Sequence, residues 1–379
     1  MAQRVKTDWI LFGAVAFLLA FGLLMLLSAS SVAAYQRFGS STHYFFRQFI
    51  WALAGVPAMM FLKRRDYRFL NSPAWVFGLM SFVLLLVLAA YLADPYAQRR
   101  IFIGSVSIQP SEFAKPVLIL FLAYFVTRRA PAINNRYTLI PAGMLVGLLA
   151  GAVMASDLGT GLVLVVTAAV IFFVAGLERR FIWAAALIVV LGVTAAIIAK
   201  PYRIVRIFGL FDPEYRLLQR FDRDGKLMAY IKRSASSGDP DYHLRQSLIA
   251  VGSGGPFGLG LMQSRQKLLY LPEAHTDFIY AVVSEELGLA GSLAVVAAFL
   301  VLLWRGLRLY FLVPDDFGRY LALGVTAMIV SQAFINIGVV LGLLPTKGIP
   351  LPMISYGGSS LVSTLASLGI LQSIGEHSG

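Results

Sequence analysis

The residue types and spacings that could do chemistry gather in YLPEAHTDFIYAVVSEEL, from Tyr270 to Leu287. A polar run with His275 and one carboxylate, Asp277, turns there directly into an apolar segment. Pro272 suits the approach to a helix, Thr276 suits an N-cap, and Asp277 is expected in the first helical turn. A carboxylate in that position is a candidate proton acceptor, with His275 in the wall of the same site. Its bland role is that of a helix N-terminal charge favoured by the macrodipole. The dipole would lower its pKa and burial beside an apolar cavity would raise it, and spacing leaves both open. Glu285 lies about two turns deeper and roughly 80° round the helix, and Glu286 on the opposite face. Neither can form a dyad with Asp277. Both are expected to pair with a cation or another polar group inside the bundle.

Four other stretches carry candidate groups. QPSEFAK places Glu112 and Lys115 three residues apart on one helical face, as a structural ion pair or as the polar wall of a cavity. Asp157, in ASDLGTG, either caps the helix that follows it or joins the same site. Gly252, Gly254, Gly255, Gly258 and Gly260 form a glycine-rich run without the Gly-Lys-Ser or Gly-Lys-Thr of a Walker loop. With Arg245, Arg265 and Lys267 nearby, that run could converge on a diphosphate, or the cations could simply touch anionic head groups. GLLPTKGIPLPMISYGGSS joins Pro345, Pro350 and Pro352 to a glycine-lined helix entry whose obvious ligands are Lys347, Ser359 and Ser360.

The elements that must position these groups are membrane spans. The 379 residues are 58% hydrophobic and 13% charged, with mean hydropathy +0.76, far more apolar than an ordinary soluble domain. The net charge of +13 comes without a basic helix, a zinc finger or the aromatic-basic pattern of an RNA-binding sheet, so no nucleic-acid partner is expected. No cysteine is present, which removes disulfides and thiol chemistry, and the four histidines lack zinc spacing. Apolar stretches of spanning length run through Trp9–Val32, Tyr44–Leu62, Pro73–Ala93, Ser111–Val126, Tyr137–Ala155, Leu158–Gly176, Phe181–Ala199, Asp277–Trp304, Tyr320–Leu344 and Ser355–Ile374. The expectation is an all-α polytopic membrane protein of about ten transmembrane helices, with the first serving as an anchor rather than a cleaved signal peptide.

Orientation follows from lysine and arginine near the segment ends. Arg4, Lys6, Lys63–Arg65, Arg68, Arg128, Arg129, Arg136, Arg179, Arg180, Arg305, Arg308 and Arg319 mark one side, expected to be cytoplasmic together with both termini. The opposite short loops carry Arg37, Arg47, Arg99, Arg100 and Lys347, with Lys115 just inside a span. Asp277 then faces outward. Residues 200–276 form one large extracytoplasmic loop within a single membrane domain, 1–379. Its first part, 202–241, is charged and turn-rich, and its second part is expected to re-enter the membrane surface as irregular backbone lining a cavity.

QPSEFAK, QSLIAVGSGG, GLGLMQSRQKLLYLPEAHTDFIYAVVSEELGLAG and GLLPTKGIPLPMISYGGSS, in this order, resemble the SEDS family (shape, elongation, division and sporulation) over nearly all the spans. YLPEAHTDF and LLPTKGIPLP are closer to its cell-division branch than to its elongation branch. Met353 and Ser284 depart from the residues usual there. The resemblance implies a peptidoglycan glycosyltransferase that polymerises lipid II into β-1,4 glycan at the outer face of the bacterial plasma membrane, at the division septum, with Asp277 as the essential base. Arg265, Lys267 or a divalent cation would then stabilise the leaving diphosphate, and Glu112, Lys115 and Asp157 would shape the cavity. It also implies a class B penicillin-binding transpeptidase and other divisome membrane proteins as partners. Two other classes remain beside it on the residues alone: a lipid II flippase, and a non-catalytic scaffold.

Overall fold

The computed structural model describes residues 7–93, 99–104, 106–198, 242–345 and 348–377. Lys347 and the charged part of the long loop, 202–241, lie outside the described residues. The chain is an all-α polytopic membrane protein. In order, the described helices are α1 (Trp9–Phe38), α2 (His43–Arg64), α3 (Pro73–Ala93), α4 (Pro110–Arg129), α5 (Arg136–Ser156), α6 (Leu158–Val174), α7 (Arg179–Ile198), α8 (Tyr242–Ser253), α9 (Ile279–Leu312), α10 (Asp316–Val340) and α11 (Gly358–His377). One antiparallel hairpin, β1 (Ile101–Ile103) and β2 (Val106–Ile108), joins α3 to α4, with Ile101 opposite Ile108.

Local signals set the helix ends. Asp8, Asn135, Asp157 and Asp315 cap α1, α5, α6 and α10 by accepting main-chain N–H bonds, and Pro110 opens α4, where its missing N–H costs nothing. Helix α1 runs past the expected Val32 to Phe38, where Gly39 closes it in the left-handed conformation at φ 71°.

Seven helices, α1–α5, α9 and α10, are long and apolar enough to cross a membrane. The other three expected stretches are occupied by α6, which is apolar but shorter, and by α7 and α11. Serines lower the hydropathy of α11, yet it is buried along most of its length, so it meets protein rather than lipid. Helices α4 and α10 form the centre: 72% and 78% of their most apolar windows are buried, against 22–33% in the other five of the seven. They also carry Glu112, Lys115, Gln332 and Asn336, polar groups that hydrocarbon would not solvate and that therefore turn into the bundle. Around them α3, α6, α9 and α11 pack, with α11 lying along α2 and α1 against α9. Large apolar side chains such as Ile50, Leu85, Phe173 and Trp183 remain on the outside, as a lipid-facing surface requires.

The glycine-rich run has a different role from the one its spacing suggested. Helix α9 is broken at Gly288, whose φ of 63° and ψ of −158° interrupt the hydrogen-bond ladder. The carbonyls of Glu285 and Glu286 and the N–H groups of Leu289 and Ala290 thereby lose their helical partners. The chain just after α8 supplies replacements: Leu259 and Gly260 donate to the two carbonyls at 2.9 and 3.0 Å, and the Gly255 and Pro256 carbonyls accept from Leu289 and Ala290. Such close backbone approach needs glycine, because a methyl at Gly254 or Gly258 would lie 1.9 or 2.1 Å from the Ser284 or Glu286 carbonyl oxygen. These glycines mend a kinked helix, so they are not evidence for a diphosphate cradle.

Candidate active site

The ends of α1, α2, α4, α6 and α11, the β1–β2 hairpin and the turn before α9 enclose a cavity of about 600 Å³, a volume within the usual range for a small-molecule site. It lies at the end of the bundle that the charge pattern assigns to the outside.

Asp277 is in its wall, on a turn built differently from the expected one. Helix α9 begins at Ile279 with Phe278 in the cap position. The Thr276 hydroxyl bonds back to the Glu273 carboxylate at 2.7 Å instead of capping. The carbonyls that would open a helix are taken by other elements: Ser355 donates to the Thr276 carbonyl at 2.5 Å and Asn336 to that of Asp277 at 2.7 Å. Asp277 therefore precedes the helix. Burial is the main influence on its carboxyl, followed by repulsion from Glu273 and Asp157, while Arg99 and Arg100 act in the opposite sense; its pKa is pushed up to about 7. Gly348 faces it closely, since a methyl there would lie 2.3 Å from Oδ2.

His275 stacks on Tyr44 with ring centroids 4.5 Å apart, and its carbonyl accepts the Tyr356 N–H at 3.0 Å. Burial lowers its pKa, only partly offset by Glu273, so the ring stays neutral at pH 7. Asp157 does both things considered for it: its Oδ1 accepts from the Gly159 and Thr160 N–H groups at 3.0 and 3.3 Å, and the side chain also lines the cavity. Glu112 lines the cavity as well and is bound to Lys115 at 2.7 Å, while the Lys115 ammonium lies behind it, donating also to Gln332 Oε1 at 2.7 Å. Gln332 in turn donates to the Pro350 carbonyl at 2.8 Å, so the ion pair braces the cavity floor against the proline-rich loop. Ser359 and Ser360 are in the lining, and Ser359 Oγ accepts the Gln109 N–H at 3.1 Å.

Two expectations need correction. Lys267 is buried against the Glu286 carboxylate at 2.8 Å and Ser28 Oγ at 3.0 Å, and Arg265 is exposed; neither is in the cavity lining. The reason is the folding of residues 262–267 back onto α9. Glu286 accepts from the Met262 and Ser264 N–H groups, and Glu285 from Ser264 Oγ and the Arg265 N–H. This segment is clamped to the helix, which keeps the Lys267 ammonium in its ion pair and out of the cavity lining.

The cations in the lining are Arg37, Arg47, Arg99 and Arg100, joined by the aromatic faces of Trp51 and Tyr356. The sequence held a signal for them: they are four of the few basic residues on the side that carries fewer lysines and arginines in its short loops. Asn336 and Gln332 were also missed, although two amides four residues apart in an otherwise apolar span mark an inward polar stripe. Among the described residues no group of three or more His, Cys, Asp or Glu side chains could hold a metal ion. What the cavity brings together is one carboxyl poised to exchange a proton near neutrality and a set of guanidinium groups suited to a phosphate-bearing ligand.

The FtsW/RodA/SpoVE family model, described as cell cycle protein, matches residues 8–379. Stage V sporulation protein E of Bacillus subtilis is 39% identical over 381 residues, covering 99% of each chain. A probable peptidoglycan glycosyltransferase FtsW of Geobacter metallireducens is 37% identical over 365 residues, covering 94% of this chain and 91% of that protein. A chain from a peptidoglycan synthase complex that coordinates polymerisation and crosslinking superposes with a TM-score of 0.74 at 26% identity, covering 97% of both. A match that runs almost from end to end in sequence and in fold leaves one conclusion: this chain belongs to the FtsW/RodA/SpoVE family, the SEDS membrane proteins.

Proposed function

We propose that this protein is a peptidoglycan glycosyltransferase that polymerises lipid II at the outer face of the bacterial plasma membrane during septal wall synthesis. Asp277 takes the proton from the 4-hydroxyl of the acceptor GlcNAc as that oxygen attacks the anomeric carbon of the donor MurNAc. The bond from that carbon to the diphosphate oxygen breaks, undecaprenyl diphosphate leaves with the electron pair, and inversion turns the α-linkage into a β-1,4 glycosidic bond. Arg47, Arg99 and Arg100 stabilise the charge developing on the leaving diphosphate, the part first assigned to Arg265 and Lys267. Glu112, Asp157, Ser359 and Ser360 supply hydrogen-bonding groups for the sugars, and Tyr44, Trp51 and Tyr356 supply faces for them.

The observation that carries this reading is the carboxyl of Asp277, its pKa pushed up to about 7 in a cavity lined by four arginines. A base is most effective when its pKa lies near the working pH. The outward position of the cavity, with both termini cytoplasmic, follows from the charge bias of the loops. The relative found in a peptidoglycan synthase complex supports a class B penicillin-binding transpeptidase as partner, with other divisome proteins around the pair.

The test is polymerisation of labelled lipid II by the purified protein with its cognate transpeptidase, comparing the unaltered chain with Asp277→Asn and resolving glycan length on a gel. Long glycan only with the aspartate is the expected result. Full-length glycan from a folded, partner-bound Asp277→Asn protein would overturn the assignment. No glycan from either protein in an intact complex would favour the lipid II flippase, and a leaflet-resolved flipping assay would then decide.

A further inference from the structure

Asn336, on α10, bonds both the turn that carries Asp277 and the loop that faces it. Its Nδ2 donates to the carbonyl of Asp277 and to the carbonyl of Ile349, each at 2.7 Å. Two main-chain acceptors at that distance settle which way the amide faces, because its oxygen could not occupy the same position. Ile349 adjoins Gly348, whose α-carbon closes over the Asp277 carboxylate. Asn336 thus bridges the backbone of the carboxylate to the surface packed against its oxygens. Gln332, one turn earlier on α10, holds the next carbonyl, that of Pro350, so α10 grips the proline-rich loop at two consecutive residues.

Asn336 is 1% exposed, and its Oδ1 has no hydrogen-bond partner among the described residues. A buried amide with one end unsatisfied is costly, and an apolar residue at this place would avoid that cost while leaving two carbonyls without donors. The residue type is therefore explained by the two bonds it donates. The Thr276 carbonyl is held separately by Ser355, so removing Asn336 loosens the turn at Asp277 without releasing the whole segment.

We infer that Asn336 is a positioning residue for Asp277, acting through the carbonyl of Asp277 and through the Ile349 carbonyl to hold the carboxylate against Gly348 in its reactive orientation. The inference rests on Asp277 being the base. Misplacing a reacting group by about 1 Å can cost on the order of 10²-fold in rate, which sets the scale of the effect.

The experiment measures initial rates of lipid II polymerisation against lipid II concentration and pH. The proteins are the unaltered chain, Asn336→Leu, Asn336→Ser and Asp277→Asn, each in complex with the transpeptidase and checked for folding and assembly. For Asn336→Leu the expected result is a kcat lower by about 10- to 100-fold with KM little changed. The acid limb of its pH profile should also move down by about half a unit, as water reaches a less confined carboxylate. Asn336→Ser, which keeps one donor, should fall between; if Asn336→Leu does not fold, the serine variant decides by the same two readouts. A folded variant with unaltered kcat, or activity lost only in proportion to folded protein with the acid limb in place, overturns the inference. Asp277→Asn separates the two failures: if it retains turnover, the base assignment fails and this inference falls with it, whereas an inactive Asp277→Asn beside a fully active Asn336→Leu refutes only the role of Asn336.

Discussion

Asp277 and the pair Glu285 and Glu286 are close in the chain, on either side of the start of one helix, and their surroundings differ completely. Glu286 receives two main-chain N–H bonds, the Ser28 hydroxyl and the Lys267 ammonium, and Glu285 receives the Ser264 hydroxyl and the N–H groups of Arg265 and Gln266. All four carboxylate oxygens there accept from donors, supplied by residues 262–267 and by Ser28 on α1. Asp277 has a glycine against its oxygens, two carboxylates nearby and arginines across a cavity, with its pKa pushed up to about 7. A saturated carboxylate is structural because any change in its charge leaves donors unpaired, whereas an undersupplied one at an open cavity can exchange protons. Residue type does not separate these roles; the supply of donors does.

The largest break in this comparison is Asp277→Asn, for which polymerisation should fall by about 10²- to 10⁴-fold while the protein stays folded and partner-bound. Glycan yield beside size-exclusion behaviour checks both halves. Neutralising the arginines opposite it comes next: the double variant Arg99→Gln and Arg100→Gln should lower kcat by about 10²-fold. A loss confined to KM would mean that these residues bind ground state and transition state alike.

Glu286→Ala should behave in the contrary way, because it leaves Lys267 as a lone buried cation. It should cost about 3–5 kcal/mol of stability, read as lower yield and lower thermal stability in detergent. Replacing Lys267 by Met in the same chain should recover part of that loss, since an apolar pair avoids the stranded charge. An Asp277→Asn change should move stability the other way. A carboxyl whose folded pKa lies above its ordinary value stabilises the fold while protonated, and that contribution is lost as pH rises through about 7. The asparagine variant should therefore have a Tm higher by ~2–4 °C at pH 8, with a smaller gap at pH 5, because the contribution is lost between the ordinary carboxylate pKa and about 7. Equal differences at both values would show that ionisation of Asp277 is not involved.

The same contrast explains what was legible in advance. Glu112 and Lys115 could be paired from QPSEFAK because i,i+3 spacing on a helix is local geometry, and Asp157 could be placed as a cap because capping involves only the next three residues. Thr276 misled because its capping signal is local while the competing bonds come from Ser355 and Asn336, far along the chain. Lys267 misled for the same reason: its cationic head is claimed by Glu286 and by Ser28 on α1. Glycines 254 and 258 looked like a phosphate loop because their purpose, contact with the broken turn at Gly288, needs the helix to be in place.

From the sequence alone come the membrane-protein class, the apolar stretches, their charge bias and the position of Asp277 at the head of one of them. Each depends on hydropathy and charge summed over neighbouring residues, which the chain carries without folding. The tertiary structure decided which cations share a cavity with that carboxylate, which carboxylates are fully paired, and in which direction the pKa of Asp277 moves. Those outcomes depend on burial and on donors brought from distant helices, and neither quantity exists until the helices pack.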